Sequence, residues 1–173
     1  MSGIDSCDVS AMCWNVDPAT NQGTCVAFCS GSEANPSCPA DPSTQCMTAF
    51  DGVLNLCLPA CHPLLQDCSE WATCVPVDGD AFFCLPDTSG DEGQYGDGCT
   101  YIDACDPGLF CANPAAFPAC DDVACCAEFC DLALPDPSSQ CTNADQGVEC
   151  VSWWDENEDP PGDESLGACI VPP

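Results

Sequence analysis

Between Cys46 and Cys57 the chain reads CMTAFDGVLNLC, and the turn at its centre decides the fold. Asp51-Gly52 is a two-residue hairpin signal, because tight hairpin turns need positive φ and glycine supplies it. The flanking segments MTAF and VLNL read as strands, which sets Cys46 opposite Cys57. A second stretch, CVPVDGDAFFC from Cys74 to Cys84, follows the same plan around the three-residue loop Asp78-Gly79-Asp80. Directly opposed residues on antiparallel strands have Cα atoms about 4.5–5.5 Å apart, a distance that a disulfide spans. Each cysteine can equally bond a neighbour outside its hairpin, so opposition leaves the connectivity open.

Outward from these hairpins the cysteine spacing recurs. A cysteine is followed by five to eight residues, a cysteine, nine to eighteen residues, a cysteine, then three residues and often a fourth cysteine. The copies are Cys7, Cys13, Cys25, Cys29; Cys38, Cys46, Cys57, Cys61; Cys68, Cys74, Cys84; Cys105, Cys111, Cys126, Cys130; and Cys141, Cys150, Cys169, with Cys120 and Cys125 inserted in the fourth. A longer repeat lies above this one: IDSCDVSAMC (Ile4 to Cys13) matches IDACDPGLFC (Ile102 to Cys111), and TCVAFC matches CCAEFC. The chain therefore reads as two related halves, 1–88 with three hairpin units and 99–173 with two. Residues 89–98, acidic and Gly-rich, read as a flexible linker.

The predicted fold class is a small disulfide-rich protein of irregular, β-hairpin-based modules with little helix. About ten disulfides are expected, each within its own half. Cys61, Cys68, Cys74 and Cys84 should form two of them, and Cys120 should bond Cys125. The adjacent Cys125 and Cys126 should then have separate partners. The 21 cysteines are an odd number. Cys99 stands six residues before Cys105, and its counterpart in the first half falls at position 1, where Met1 stands. The sequence is accordingly read as one that lost a cysteine upstream.

Cysteine at 21 of 173 residues, with 17 Pro and 13 Gly, marks a stapled scaffold of an oxidising compartment. The expected location is extracellular or in the cell envelope. The N-terminus MSGIDSCDVSAMCW lacks the basic and apolar regions of a signal peptide, so the reading is a mature or shortened form with an added Met1. The 29 Asp and Glu meet no Lys or Arg, for a net charge of −29. Nucleic-acid binding and adhesion to anionic membranes are excluded for want of cations. Lysine-dependent nucleotide binding, Schiff-base catalysis and arginine fingers are excluded for the same reason. Trypsin-like proteases, which need Lys or Arg in their specificity pocket, find no cleavage site.

The stretches GDGCTYIDACDPGLFCANP, CCAEFCD and GACIVPP, with CWNVDPATNQGTCVAFCSGS and LCLPACHPLLQDC, carry a resemblance. The chain resembles a group of cysteine-rich exported proteins and lipoproteins of myxobacteria-like bacteria. The resemblance covers nearly the whole chain and implies export, but no activity. Members often carry an automatic ribulose-phosphate epimerase label. That enzyme fold is a (β/α)₈ barrel of about 250 residues, which this cysteine spacing does not accommodate.

Candidate chemistry is sparse. No CxxC occurs and His62 is the one histidine, so structural zinc and thioredoxin-type redox chemistry lack their ligands. CLPACH is one residue longer than a haem attachment motif, and His62 reads as an ordinary surface residue. Calcium is the one cofactor that the composition suggests. In DENEDPPGDE, Asp155, Asn157 and Asp159 match the opening ligand positions of an EF-hand loop, with Asp163 close behind. Pro160 then occupies the turn-glycine position and Leu166 the bidentate-Glu position. Further acidic groups are Asp87, Asp91, Glu92 and Asp97, and Asp78 with Asp80. Trp14 and Trp71 are expected to pack on disulfides, and one of Trp153 and Trp154 to be exposed, since strand neighbours face opposite ways.

The expected function is a non-enzymatic structural or binding module of the cell surface or matrix, calcium-binding and protease-resistant. Its partners would be surface proteins or polysaccharides. The alternatives are a secreted hydrolase or redox enzyme, or a cysteine-framework protease inhibitor.

Overall fold

The structure is a computed structural model that describes residues 6–32, 34–49, 52–77, 81–155, 160 and 162–172. Turn chemistry builds its hairpins. β5 (Thr44–Ala49) pairs with β6 (Leu54–Pro59), and Cys46 lies opposite Cys57, the register predicted from Asp51-Gly52. Gly52 has φ +81°, where a side chain would be strained. β1 (Ala11–Asp17) and β2 (Gln22–Ala27) likewise oppose Cys13 to Cys25. β9 (Leu109–Ala112) and β10 (Cys125–Asp131) oppose Cys111 to Cys126. β11 (Glu149–Ser152) and β12 (Leu166–Ile170) oppose Cys150 to Cys169. A further sheet joins β7 (Ala72–Val77) to β8 (Ala81–Pro86), and its loop residues Asp78, Gly79 and Asp80 lie outside the described residues. Between the first hairpins, β3 (Ser30–Ser32) pairs with β4 (Asn35–Ser37). Among the described residues the only helical elements are three short 3-10 turns, at Pro114–Ala116, Pro137–Gln140 and Ala144–Gln146. The chain is thus a disulfide-rich set of β-hairpins, as the spacing predicts.

Each Cys-x₃-Cys segment passes from one hairpin into the next. The first part of β10 pairs with β9 and its end pairs with β12, giving the sheet order β11-β12-β10-β9. The first half repeats this junction: Phe28 bridges Leu56, and the Cys29 N–H donates to the Asn55 carbonyl at 3.0 Å. Four residues of extended chain cover about 13 Å, beyond the Cα separation that a disulfide tolerates. The two cysteines of such a segment therefore do not bond each other.

By packing, the chain divides into two compact units, residues 1–60 with 77–83 and residues 61–76 with 84–173. In the first, Leu56 is fully buried and Val26, Met47 and Leu58 are buried with it. In the second, Leu166, Val75 and Val148 fill the interior together with Phe110, Phe129, Trp154 and several cysteines. One cluster is Cys130, Cys141, Val148 and Cys169, and another is Cys99, Cys105 and Cys126.

Residues 93–98, expected as part of a flexible linker, are hydrogen-bonded into the second unit. The Gly96 N–H donates to the Cys126 carbonyl and the Cys126 N–H to the Asp97 carbonyl, both at 2.9 Å. Asp97 accepts the Gly93 and Gln94 N–H groups, and Tyr95 stacks on Phe117 with ring centroids 5.0 Å apart. A glycine-rich composition reads as slack chain. Here Gly93, at φ +120°, serves close approach, since a Cβ would lie 2.9 Å from the Ala104 carbonyl oxygen.

Candidate functional site

Ten disulfides organise the cysteines of this chain. They join Cys7–Cys25, Cys29–Cys46, Cys38–Cys57, Cys61–Cys74, Cys68–Cys84, Cys99–Cys111, Cys105–Cys126, Cys120–Cys125, Cys130–Cys150 and Cys141–Cys169. The bridges redefine the repeat. Its unit is four cysteines bonded first to third and second to fourth. Modules two to five are Cys29-38-46-57, Cys61-68-74-84, Cys99-105-111-126 and Cys130-141-150-169. Module one retains Cys7, Cys13 and Cys25. The spacing analysis framed the unit one cysteine late, because a periodic pattern does not mark its own starting point. What it took as the fourth cysteine, as in Cys25-x₃-Cys29, opens the next module.

Geometry repeats with connectivity. In all four complete modules the Sγ atoms of the first, second and fourth cysteines lie within 4.8 Å of one another. The two bridges of a module therefore stack side by side. Bridged sulfurs hold no thiolate charge, so these clusters are framework rather than metal ligands. The expected pairs among Cys61, Cys68, Cys74 and Cys84, and the local Cys120–Cys125 bridge, are present. Cys125 and Cys126 have separate partners, which removes a vicinal redox disulfide. No bridge joins residues 1–88 to residues 99–173. The unpaired cysteine is Cys13, half-buried on β1. Its repeat-mate Cys111 bonds Cys99, the residue whose counterpart position is held by Met1.

Asp155 is exposed, Asp163 is partly buried, and Asn157 and Asp159 lie outside the described residues. Asp163 Oδ1 is 3.3 Å from His62 Nε2. His62 Nδ1 accepts the Leu64 N–H at 3.2 Å, which places the ring proton on Nε2, facing that carboxylate. His62 is thus a partly exposed, paired residue. Asp87 accepts the Ser89 N–H and hydroxyl, and Asp97 is engaged as above. Local donors stabilise several carboxylates without any cation. The Ser43 hydroxyl and N–H hold the Asp41 carboxyl below its usual range, and the Thr20 hydroxyl with the Ala19 N–H does the same for Asp17. Both groups are fully exposed.

The aromatic residues depart from expectation. Trp71, expected to pack on a disulfide, is 54% exposed. It precedes β7, whose own residues fill the core. Trp14 is half-buried. Trp154 is buried, and Trp153 packs edge-on against Phe110 with centroids 5.2 Å apart and lies 5.4 Å from Phe129. Neither Trp is exposed, because β11 ends at Ser152 and the alternation of facing ends with it. Tyr95 donates its hydroxyl to the Thr142 carbonyl at 3.2 Å and accepts from Asn143 at 3.3 Å, and burial pushes its phenol upward in pKa.

A hollow of about 340 Å³ lies in the first unit, over the Cys29–Cys46 bridge. Ser30, Gly31, Ser32, Thr48 and Asn55 line it, and no acid, base or histidine is among the described residues that do. The chain matches no protein-family model, no curated protein and no solved structure.

Proposed function

We propose that the protein is an exported, non-catalytic structural or binding module of the cell surface or extracellular matrix, built to persist among proteases. The observation that carries this reading is the repetition of one two-bridge staple along the chain. Dense disulfides belong to oxidising compartments, and they suppress the local openings that proteases exploit. The absence of Lys and Arg adds resistance to trypsin-like enzymes. Proteins or polysaccharides of the surface are the partners in this reading.

A broad-specificity protease, applied to the oxidised and to the reduced, alkylated protein, tests it. The oxidised form is expected to survive for hours while the reduced form disappears within minutes. Rapid loss of the oxidised form would end the persistence reading.

Calcium binding belongs to the same proposal. At −29 the folded chain repels itself, and a divalent ion that binds only the native state would raise stability with its concentration. Millimolar Ca²⁺ is expected to raise Tm above a NaCl control of equal ionic strength, with the 155–164 segment the first place to map. A shift no larger than the control would leave the carboxylates as solvated surface alone.

A further inference from the structure

Cys13 occupies a seat made for a disulfide. It is the third cysteine of module one, and the third cysteines of the other modules, Cys46, Cys74, Cys111 and Cys150, all bond the first cysteine of their module. Every other cysteine of the chain is already bridged, so no residue of 1–173 can complete the pair without breaking another.

The surroundings of Cys13 provide a second, independent observation. Gly23 and Gly167 both stand two residues before the fourth cysteine of their modules. A Cβ on Gly167 would meet Cys130 Sγ and Cys150 Sγ, each at 2.8 Å, and the Val151 carbonyl oxygen at 2.9 Å. A Cβ on Gly23 would meet Cys13 Sγ at 2.8 Å and the Trp14 carbonyl oxygen at 2.7 Å. Cys13 corresponds to Cys150 and Trp14 to Val151. The two cradles therefore share the third-position sulfur and the carbonyl of the residue after it. What module one lacks is the first-position sulfur, the counterpart of Cys130.

We infer that Cys13 is the receiving thiol of a disulfide whose other cysteine sits on a polypeptide segment outside residues 1–173 and takes the first position of module one. The bond forms by exchange. The Cys13 thiolate attacks the sulfur of a disulfide that already carries the incoming cysteine, the new S–S bond forms, and the old one breaks. The departing thiolate leaves with the electron pair and takes up the proton that Cys13 released, so no further oxidant is consumed. The inference is independent of any surface role.

The test uses the intact, oxidised chain and a synthetic peptide, GDGCTYIDA, which copies residues 96–104 around the first cysteine of module four. The peptide is presented as a 2-thiopyridyl mixed disulfide beside the same derivative of glutathione. Expected are one peptide per chain, mapped to Cys13 by mass spectrometry, coupling at least about tenfold faster than glutathione, and a higher Tm for the peptide adduct than for the glutathione adduct. A Cys13→Ser chain should fold with its ten bridges and take no peptide. Equal rates and equal Tm for the two adducts would reduce Cys13 to a merely accessible thiol and overturn the inference. So would failure to couple under native conditions, or a Cys13–Cys13 dimer as the sole oxidised product.

Discussion

Full reduction of the ten disulfides at neutral pH is expected to abolish the fold, with loss of the β-sheet signal in far-ultraviolet circular dichroism and of all slowly exchanging amides. The bridges close loops with sequence separations from 5 to 28 residues. In the chain-entropy account a loop of this order contributes about 2–4 kcal/mol, and nesting makes the sum less than additive. Even half of that total, about 10–20 kcal/mol, is as large as the net stability of about 5–15 kcal/mol that is usual for a domain. The apolar core does not compensate, because sulfur dominates clusters such as Cys99, Cys105 and Cys126. Reduction turns these packed bridges into separate thiols on a chain whose net charge of −29 favours expansion. Alkylation after reduction holds the chain open for measurement. Retention of native amide protection in the fully alkylated protein would show that packing, not crosslinking, holds the hairpins.

Gly167→Ala is expected to be strongly damaging for the addition of a single methyl group. The new Cβ would lie 2.8 Å from both sulfurs of the Cys130–Cys150 bridge and 2.9 Å from the Val151 carbonyl oxygen. Neither neighbour is the loose end of a long side chain. One is a crosslink and the other is backbone between the paired strands β11 and β12. Overpacking of this kind costs about 1–3 kcal/mol, which for a chain of this size lowers Tm by roughly 2–12 °C. If strain keeps the bridge from closing, its own contribution is lost as well, and two new thiols join Cys13. The control is Gly52→Ala, where nothing lies within 4 Å and the cost is only that of a side chain at positive φ. Both variants lose stability, but only Gly167→Ala should expose thiols beyond the one at Cys13. An unchanged Tm with a single reactive thiol would contradict the tight seat, and with it the parallel drawn for Gly23.

Much of this architecture can be read from residues close together in the chain. Asp51-Gly52 predicts a turn and the turn a register, and the paired strands have that register, with Cys46 opposite Cys57. The bridges among Cys61, Cys68, Cys74 and Cys84, and the Cys120–Cys125 link, follow from counting which cysteines the shared framework leaves over. The expectation of an oxidising compartment rests on cysteine content, and the lack of lysine or arginine chemistry on composition, since a missing cation is missing in every conformation.

Which cysteine bonds which is a different matter, and only the tertiary structure settles it. An opposed pair such as Cys150 and Cys169 lies close enough to bridge, yet each bonds a residue outside the hairpin. The choice depends on the chain leading into the hairpin, which brings two further sulfurs to its face. Residues 93–98 are held in place by carbonyls of distant sequence, so their glycines serve close packing where composition suggested slack. Trp153 and Trp154 are both covered because the strand ends one residue earlier and Phe110 and Phe129 come from another hairpin. Turn preference and charge are properties of a few neighbouring residues. Bridge choice and burial depend on where segments far apart in sequence meet, and that emerges only when the whole chain is folded.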